Sequence, residues 1–299
     1  MIESVPNVSE GHDATVIAAL AQAVRDGGSL LLDHSADPSH HRSVFTMAGD
    51  ADAVTRSLLQ LVRTAVTHVD LRTHRGVHPR IGAVDVVPLI PLSGSTMASC
   101  VDLSHALGRA IADMFGIPVY LYEQSATRPE RRRLELIRRG NFEGLAQKMR
   151  QPDWAPDYGP RSPHPTAGAT VVGARMPLIA FNVNLASTDV AVAKAIAAAV
   201  RESSGGLPCV KALGLPLLHR NVAQVSMNLT DFSRTSVQAA FDAVEREAQA
   251  RGVGVLESEL IGLIPAAALE GTSAAQLRLA GFTRSQVLEE RIAERLAGR

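Results

Sequence analysis

The chain has 299 residues, 46% of them apolar, and 30 basic side chains against 30 acidic ones. That length holds one large domain or two medium ones with a real core, and the balanced charge points to neither nucleic acid nor an anionic membrane as partner. Aromatic residues are only 4% of the chain, a poor supply for stacking on exposed bases. No run of about 18 apolar residues occurs that would span a membrane. The start, Met1-Ile2-Glu3-Ser4-Val5-Pro6, lacks the basic and apolar regions of a signal peptide. Cys100 and Cys209 fit no metal or redox spacing, and a reducing cytoplasm is the expected compartment.

Taken in order, Ile2 to Val8 reads as a strand, and Ser9-Glu10-Gly11 turns it into a helix carrying Val16, Ile17, Leu20 and Val24 at helical spacing. Gly27-Gly28 ends that helix. Two strands follow, Ser29 to Asp33 and Ser43 to Gly49, separated by the polar loop Ala36 to Arg42; Asp50 then caps a helix through Val66. Residues 68 to 91 hold three histidines, three arginines and two aspartates. Gly76, Pro79 and Gly82 keep their first part from being helical, and Val84 to Ile90 reads as a strand ending near Pro91. Titratable groups on a conformationally restricted loop, fixed to a strand, mark a candidate active site. A helix from about Met97 to Phe115 and a strand Pro118 to Tyr122 come next.

Residues 128 to 150 read as helical and basic, with Arg128, Arg131, Arg132, Arg133, Arg138 and Arg139. A solvated face is one meaning of this run, and a landing strip for a polyanionic ligand tail is the other. Gln151 to Ala169 is rich in Pro, Gly and Asp, a length of irregular chain that is normally functional or a linker. In the second half, Leu178 to Leu185, a helix from Asp189 to Ser203, Val210 to Leu218, Val222 to Leu229, a helix Ser236 to Arg251, and Val253 to Ile264 give the order β-α-β-β-α-β. The first half begins the same way. The expected fold is therefore α+β, two ferredoxin-like lobes with helices on one face of each sheet, residues 1–177 and 178–299 joined near 170–178. From Thr272 the chain reads as a polar helical cover.

Other polar groups sit in apolar strands. Asn7 lies at the mouth of the first strand, Asn182 and Asn184 share a face, and Gln224, Ser226, Asn228 and Thr230 share another. Alternation most often marks a solvent-facing sheet side, but neutral amides and hydroxyls there suit recognition of a planar hydrogen-bonding ligand. His74 and His78 are four apart, yet Gly76 and Pro79 rule out the helix that would pair them on a metal. No phosphate-binding glycine motif occurs, so neither a metal nor a nucleotide cofactor is expected.

The stretches VPNVSEG at 5 to 11, DPSHHRSVFTMAG at 37 to 49, THRGVHPRIGAVDVVPLIP at 73 to 91, PVYLYE at 118 to 123, IRRGNFEGL at 137 to 145, PDWAPDYGP at 152 to 160, GARMPLIAFNVNL at 173 to 185, QVSMNLTDF at 224 to 232 and SELIGLIP at 258 to 265 together resemble the glutamate formimidoyltransferase (formiminotransferase) family. The likeness runs from residue 5 to about 270, and no cyclodeaminase part is expected after it. It implies transfer of a formimidoyl group from N-formimidoyl-L-glutamate to N5 of tetrahydrofolate, late in histidine degradation, with folate in a cleft between the lobes. It also implies that His78, in the G-x-H-P-R motif, is the catalytic histidine. Folate contacts are implied for Gly159, Pro160, Arg161, Ser162, Pro163, His164, Pro165, Thr166, Ala167 and Gly168, and the amides Asn182, Asn184, Gln224 and Asn228 are assigned to folate as well. Asn7, Asp37, His41, Arg42, Arg80 and Asp85 are the expected substrate contacts. Of these, Arg42 and Arg80 suit glutamate carboxylates, and Asp37 and Asp85 suit the cationic formimidoyl group or the orientation of the imidazole. The sequence differs from the vertebrate-like form in having Ser35 for an Asp and His41 for an Asn. The partners implied are tetrahydrofolate as co-substrate and N-formimidoyl-L-glutamate, with room for a homodimer. Two other readings stay open: a folate-binding or regulatory homologue without transferase activity, and an enzyme acting on a related one-carbon folate such as the 5-formyl form.

Overall fold

In the computed structural model, which describes residues 1–298, the chain forms two units, Met1–Arg175 and Met176–Arg299. The first is built on β1 (Ile2–Ser4), β2 (Asn7–Val8), α1 (Ala14–Asp26), β3 (Leu30–Asp37), β4 (Arg42–Gly49), α2 (Ala51–His68) and β5 (Val84–Pro91). The strand expected over Ile2 to Val8 is two strands. Pro6 has no N–H to give the ladder, but its carbonyl still accepts from the Phe45 N–H, so β1 and β2 hold one sheet position between β4 and β5. With β3 on the outer side of β4, the strand arrangement is β3, β4, β1/β2, β5, that of a ferredoxin-like unit. Carboxylate caps start both helices: Asp13 accepts from the Thr15 and Val16 N–H groups, and Asp50 from the Ala53 N–H.

The sheet then continues. α3 (Met97–Phe115), opened by a Thr96–Ser99 capping box and closed by Gly116 at φ 65°, carries the chain to β6 (Val119–Leu121). Residues 170 to 178 were expected to be a linker, but Thr170–Ala174 is a buried strand, β7, parallel to both β5 and β6 and lying between them. The basic stretch expected as a helix over 128 to 150 breaks into a 3-10 turn at Pro129–Arg132, α4 (Leu134–Arg138) and α5 (Asn141–Lys148), with Gly140 left-handed at φ 92° between the last two. Nor are helices confined to one face of this sheet. Val87, Leu89 and Val172 pack with α1, α2 and α3 in the main core, while Val86, Tyr120 and Val171 point the other way, into a smaller cluster with Ile137 and Leu145 of α4 and α5. That second layer brings α4 and α5 to the loop before β5.

The second unit comprises β8 (Ile179–Leu185), α6 (Val190–Val200), β9 (Val210–Leu217), β10 (Val222–Leu229), α7 (Val237–Gln249) and β11 (Val255–Ile261). Its four-stranded sheet runs β11-β8-β10-β9, all antiparallel and again ferredoxin-like. Phe181, Val183, Ala223, Val225 and Met227 face α6 and α7 in a second core; the alternating positions, where the amides stand, face away from the helices. The stretch from Thr272 is mostly irregular, and its helix, α8 (Leu288–Ala297), begins only after a 3-10 turn. No helix among the described residues is long and apolar enough to cross a membrane.

Candidate active site

The loop before β5 is held by close backbone approach. A Cβ at Gly82 would run into the Ala169 carbonyl and one at Gly168 into that of Ile81, so these glycines let the loop pair with the chain leading into β7. The pairing uses Ala83 N–H to Ala167 O and Ala169 N–H to Ile81 O, both 2.9 Å. The buried Asp85 carboxylate closes the same turn, accepting from the Ile81 N–H at 2.7 Å and the Gly82 N–H at 3.2 Å. Its other oxygen meets Arg138 of α4, whose Nε donates at 2.7 Å. Asp85, expected at the substrate, is therefore a structural anchor whose hydrogen-bonding capacity the protein already uses.

Arg80 is likewise committed. Its Nη groups donate to both oxygens of Glu143 on α5, at 2.8 and 3.1 Å, and its Nε donates to His74 Nδ1 at 2.9 Å. His74 Nε2 in turn lies 2.9 Å from the His41 carbonyl, which fixes the proton on Nε2. Burial lowers the proton affinity of His74 below the ordinary imidazole value.

His41 stands at φ 49° and stacks on His74 at 4.1 Å between ring centroids. Its Nδ1 is 2.8 Å from the Arg75 carbonyl and its Nε2 3.3 Å from Glu10. Burial raises the Glu10 carboxyl, but the N–H groups of Asp13 and His12 outweigh it and hold Glu10 below its ordinary value. The left-handed backbone at 41 suits an asparagine better than a histidine, and the stacked ring is what His41 contributes at that position.

His78 sits in a narrow recess lined by Ser9, His40, His41, Arg42, His74, Arg80 and Asp85. Arg42 Nη1 lies 2.9 Å from His78 Nε2. A guanidinium can only donate, so Nε2 is the acceptor and the ring is neutral. Burial, followed by the charges of Arg42, Arg138 and His40, pushes the His78 pKa down to about 3, against a smaller upward pull from Asp37. Asp37 pairs with His40 Nδ1 at 2.6 Å and also takes the His40 N–H, which hold its carboxyl below the usual range against the effect of burial. The His40 ring stands edge-on to His78, 6.0 Å between centroids. Beside the recess, and sharing His74 and Arg80 with it, is a cavity of about 420 Å³ lined also by Leu71, Arg75 and Phe142.

The structure thus gathers Asp37, His41, Arg42, His78, Arg80 and Asp85. Asn7 stands apart on β2, its amide donating to the Val5 carbonyl at 3.1 Å. In the segment from Gly159 to Gly168, Gly159 and Gly168 are left-handed. His164 and Gly168 exchange backbone hydrogen bonds, and the ring of His164 accepts from the Ala167 N–H at 3.0 Å. Pro160, Arg161, Ser162 and Pro165 are exposed, Pro163 and Thr166 half-buried. In the second unit, Gln224 Nε2 donates to Asn184 Oδ1 at 2.8 Å and Asn184 Nδ2 to Glu259 at 2.7 Å, with Arg220 on Glu257 and Glu259; Asn182 is half-buried and Asn228 exposed.

Four of the six arginines of the run are paired with carboxylates, two of them away from solvent and two on the surface. Arg131 is buried on Asp157 at 2.7 Å and faces the Tyr120 ring, Arg138 is on Asp85, Arg128 on Asp153 and Arg133 on Glu135. Lys148 donates to the carbonyls of Leu136, Ile137 and Arg139 and packs on Trp154; burial lowers its pKa to about 8. Arg128, Arg132, Arg133 and Arg139 are all exposed, and of these Arg128 and Arg133 carry the surface ion pairs. The residues that sequence reasoning passed over, Glu10, His40 and Glu143, all lie inside the stretches VPNVSEG, DPSHHRSVFTMAG and IRRGNFEGL, which were the available signal; Arg138, in the last of these, was noticed only as part of the basic run.

Two ferredoxin-like lobes, one bearing a half-buried histidine braced by arginine, describe an α+β protein with a candidate acid–base centre. The comparisons narrow this to a family. The profile of the formiminotransferase domain, N-terminal subdomain, matches residues 1–175, and that of the formiminotransferase domain matches 180–294. The chain is 45% identical to a glutamate formimidoyltransferase of Streptococcus pyogenes serotype M1 over 294 residues, 98% of each chain. It is 40% identical to the one of Thermoplasma acidophilum over 98% of this chain and 97% of that one. It is also 44% identical to formimidoyltransferase-cyclodeaminase of Rattus norvegicus, over 90% of this chain and 51% of that protein. The chain belongs to the formiminotransferase family.

Proposed function

We propose that the protein is a glutamate formimidoyltransferase, moving the formimidoyl group of N-formimidoyl-L-glutamate to N5 of tetrahydrofolate in histidine degradation. The observation that carries the chemistry is His78, a neutral imidazole in a recess of cations and histidines, set on a loop that Asp85, Gly82 and Gly168 hold in one conformation. N5 attacks the formimidoyl carbon; the adduct must lose the N5 proton and gain one on the departing glutamate nitrogen. A single imidazole serves both steps, base first and acid second: the neutral ring offers Nε2 to the N5 proton and can return it to the leaving nitrogen, once the burial and cations that hold its pKa at about 3 in the ligand-free structure are offset. Arg42, in contact with His78, is assigned to a glutamate carboxylate. Asp37, through His40, is the carboxylate available to the cationic amidine. Folate contacts are assigned to the segment from Gly159 to Gly168 and to the amide-bearing strands of the second lobe, whose paired donors and acceptors suit the edge of a pterin ring.

Supporting this over a binding module is the family membership together with the intact G-x-H-P-R motif at residues 76–80. Formimidoyl transfer and tetrahydrofolate binding should be measured separately on the purified chain. Transfer at enzymatic rates supports the proposal, whereas folate binding without transfer removes it.

A further inference from the structure

Every cation around the recess except one has a carboxylate or a set of carbonyls as its partner. Arg80 lies on Glu143, Arg138 on Asp85, Arg72 on Asp70, and Arg75 donates to the carbonyls of Arg72 and His74. Arg42 differs. Among the described residues no carboxylate lies within ion-pair distance of it, its Nε is buried without a hydrogen-bond partner, and its Nη1 is spent on the His78 lone pair at 2.9 Å. Arg42 is half-buried, and the nearest opposite charges, Asp85 and Asp37, act on it only from beyond contact, too weakly to offset burial and the neighbouring Arg138; one imidazole nitrogen is a poor substitute for a bidentate carboxylate. The same contact disables the histidine, because the lone pair that must take the N5 proton is the one Arg42 occupies.

We infer that Arg42 is a substrate-operated latch: a carboxylate of the formimidoyl donor draws its guanidinium off His78 Nε2, and only then can the imidazole act as base. This rests on reading the chain as a formimidoyltransferase. The donor class is an N-formimidoyl amino acid carrying at least one free carboxylate. In the opened state the N5 proton passes to Nε2 as the bond from N5 to the formimidoyl carbon forms. The proton then moves to the glutamate nitrogen as its bond to that carbon breaks, leaving His78 unchanged. The groups facing His78 meanwhile stay in place: Asp37 from the end of β3, His40 and His41 from the β3–β4 turn, Arg138 from α4, His74 and Arg80 from its own loop, Asp85 from β5. Neutralising Arg42 removes the nearest opposing charge, so the imidazole regains proton affinity when a donor is bound. Binding and activation are then one event.

The test is a pH titration of the His78 ring by NMR on the full ¹⁵N-labelled chain, its resonance assigned by loss in His78→Gln. In the ligand-free protein His78 stays neutral from pH 5 to 8. Saturating L-glutamate, the leaving product and a free dicarboxylate, brings its midpoint into that window, and Arg42→Gln brings it there without glutamate. A second arm compares donors: Arg42→Gln slows transfer from N-formimidoyl-L-glutamate but speeds transfer from formamidine, which has no carboxylate, so their ratio falls by roughly tenfold or more, the worth of one charge-assisted hydrogen bond. The latch is overturned by a His78 that titrates in the window without ligand, by glutamate that fails to bind or leaves the midpoint unmoved, or, in a chain that does transfer from N-formimidoyl-L-glutamate, by formamidine transfer that does not rise in Arg42→Gln. A chain that moves the formimidoyl group from no donor at all fails as a transferase, and the titration still decides the latch.

Discussion

The two lobes share one β-α-β-β-α-β plan but use their polar residues in opposite ways. In the first, ionised and ionisable groups crowd a single loop, and nearly all are locked: Asp85 by two backbone N–H groups and Arg138, Arg80 by Glu143, His74 by the His41 carbonyl. In the second, the sheet face away from the helices carries the neutral amides Asn184 and Gln224, which are buried and satisfy each other and Glu259. Topology therefore fixes where side chains can stand and leaves their chemistry free. On our account the first lobe does proton transfer and the second recognises ligand, and mutations should separate the two.

The largest effect is expected from His78→Ala, which keeps the fold by circular dichroism but lowers kcat by roughly 10² to 10⁴, the worth of a positioned acid–base. A loss confined to KM would move His78 to the binding side of the comparison. Next is Asp85→Asn. Removing one partner of a buried ion pair costs about 3–5 kcal/mol, so denaturant unfolding should show that loss and activity should fall with it. An unchanged midpoint would contradict the structural role of Asp85.

Acid should expose the cost of keeping His78 neutral. Its folded-state pKa, about 3, lies below the value of about 6.5 for an unfolded histidine. Between those values the unfolded chain holds the extra proton, so the stability due to neutral His78 is complete above about 6.5 and is lost progressively as pH falls toward 3. His78→Gln should therefore lose less stability than the wild type between pH 6 and 4; parallel curves would mean His78 is not held neutral.

Two smaller effects sharpen the second half of the comparison. Asn184→Leu should raise KM for tetrahydrofolate by roughly tenfold, one hydrogen bond to a ligand, with kcat unchanged; a fall in kcat would bring the second lobe into the chemistry. Replacing Arg132 and Arg139 together by Ser should change the affinity of polyglutamyl folate by less than about 1 kcal/mol, and the change should fade with salt, since screening acts over roughly 8 Å at physiological ionic strength. A large, salt-insensitive effect would restore the arginine run as a built site.

What could be read in the sequence was what local pattern encodes. The second lobe was legible because each strand alternates and Asp189 and Ser236 stand as caps before their helices. α3 was legible end to end, from its Thr96 cap to Gly116. β7 was not: Thr170-Val171-Val172-Gly173-Ala174 follows an irregular stretch and pairs in parallel, so no hairpin turn announces it. The loop histidines were visible as a cluster, but their partners were not. Arg138 reaches Asp85 across 53 residues and Glu143 reaches Arg80 across 63. The packing of α4 and α5 on the outer face of the sheet makes those pairs, and no local spacing records it. Hence Arg80 and Asp85 read as free for substrate when the fold had already engaged them.

The central claim, that this chain moves a formimidoyl group to N5 of a reduced folate, is tested most directly by supplying N-formimidoyl-L-glutamate labelled with ¹³C at the formimidoyl carbon and following the label by NMR with tetrahydrofolate present. The account predicts that the label leaves glutamate and appears bonded to N5 at a rate set by His78. Label that stays on glutamate while tetrahydrofolate is bound, or that transfers equally fast with His78→Ala between pH 6 and 9, would contradict it.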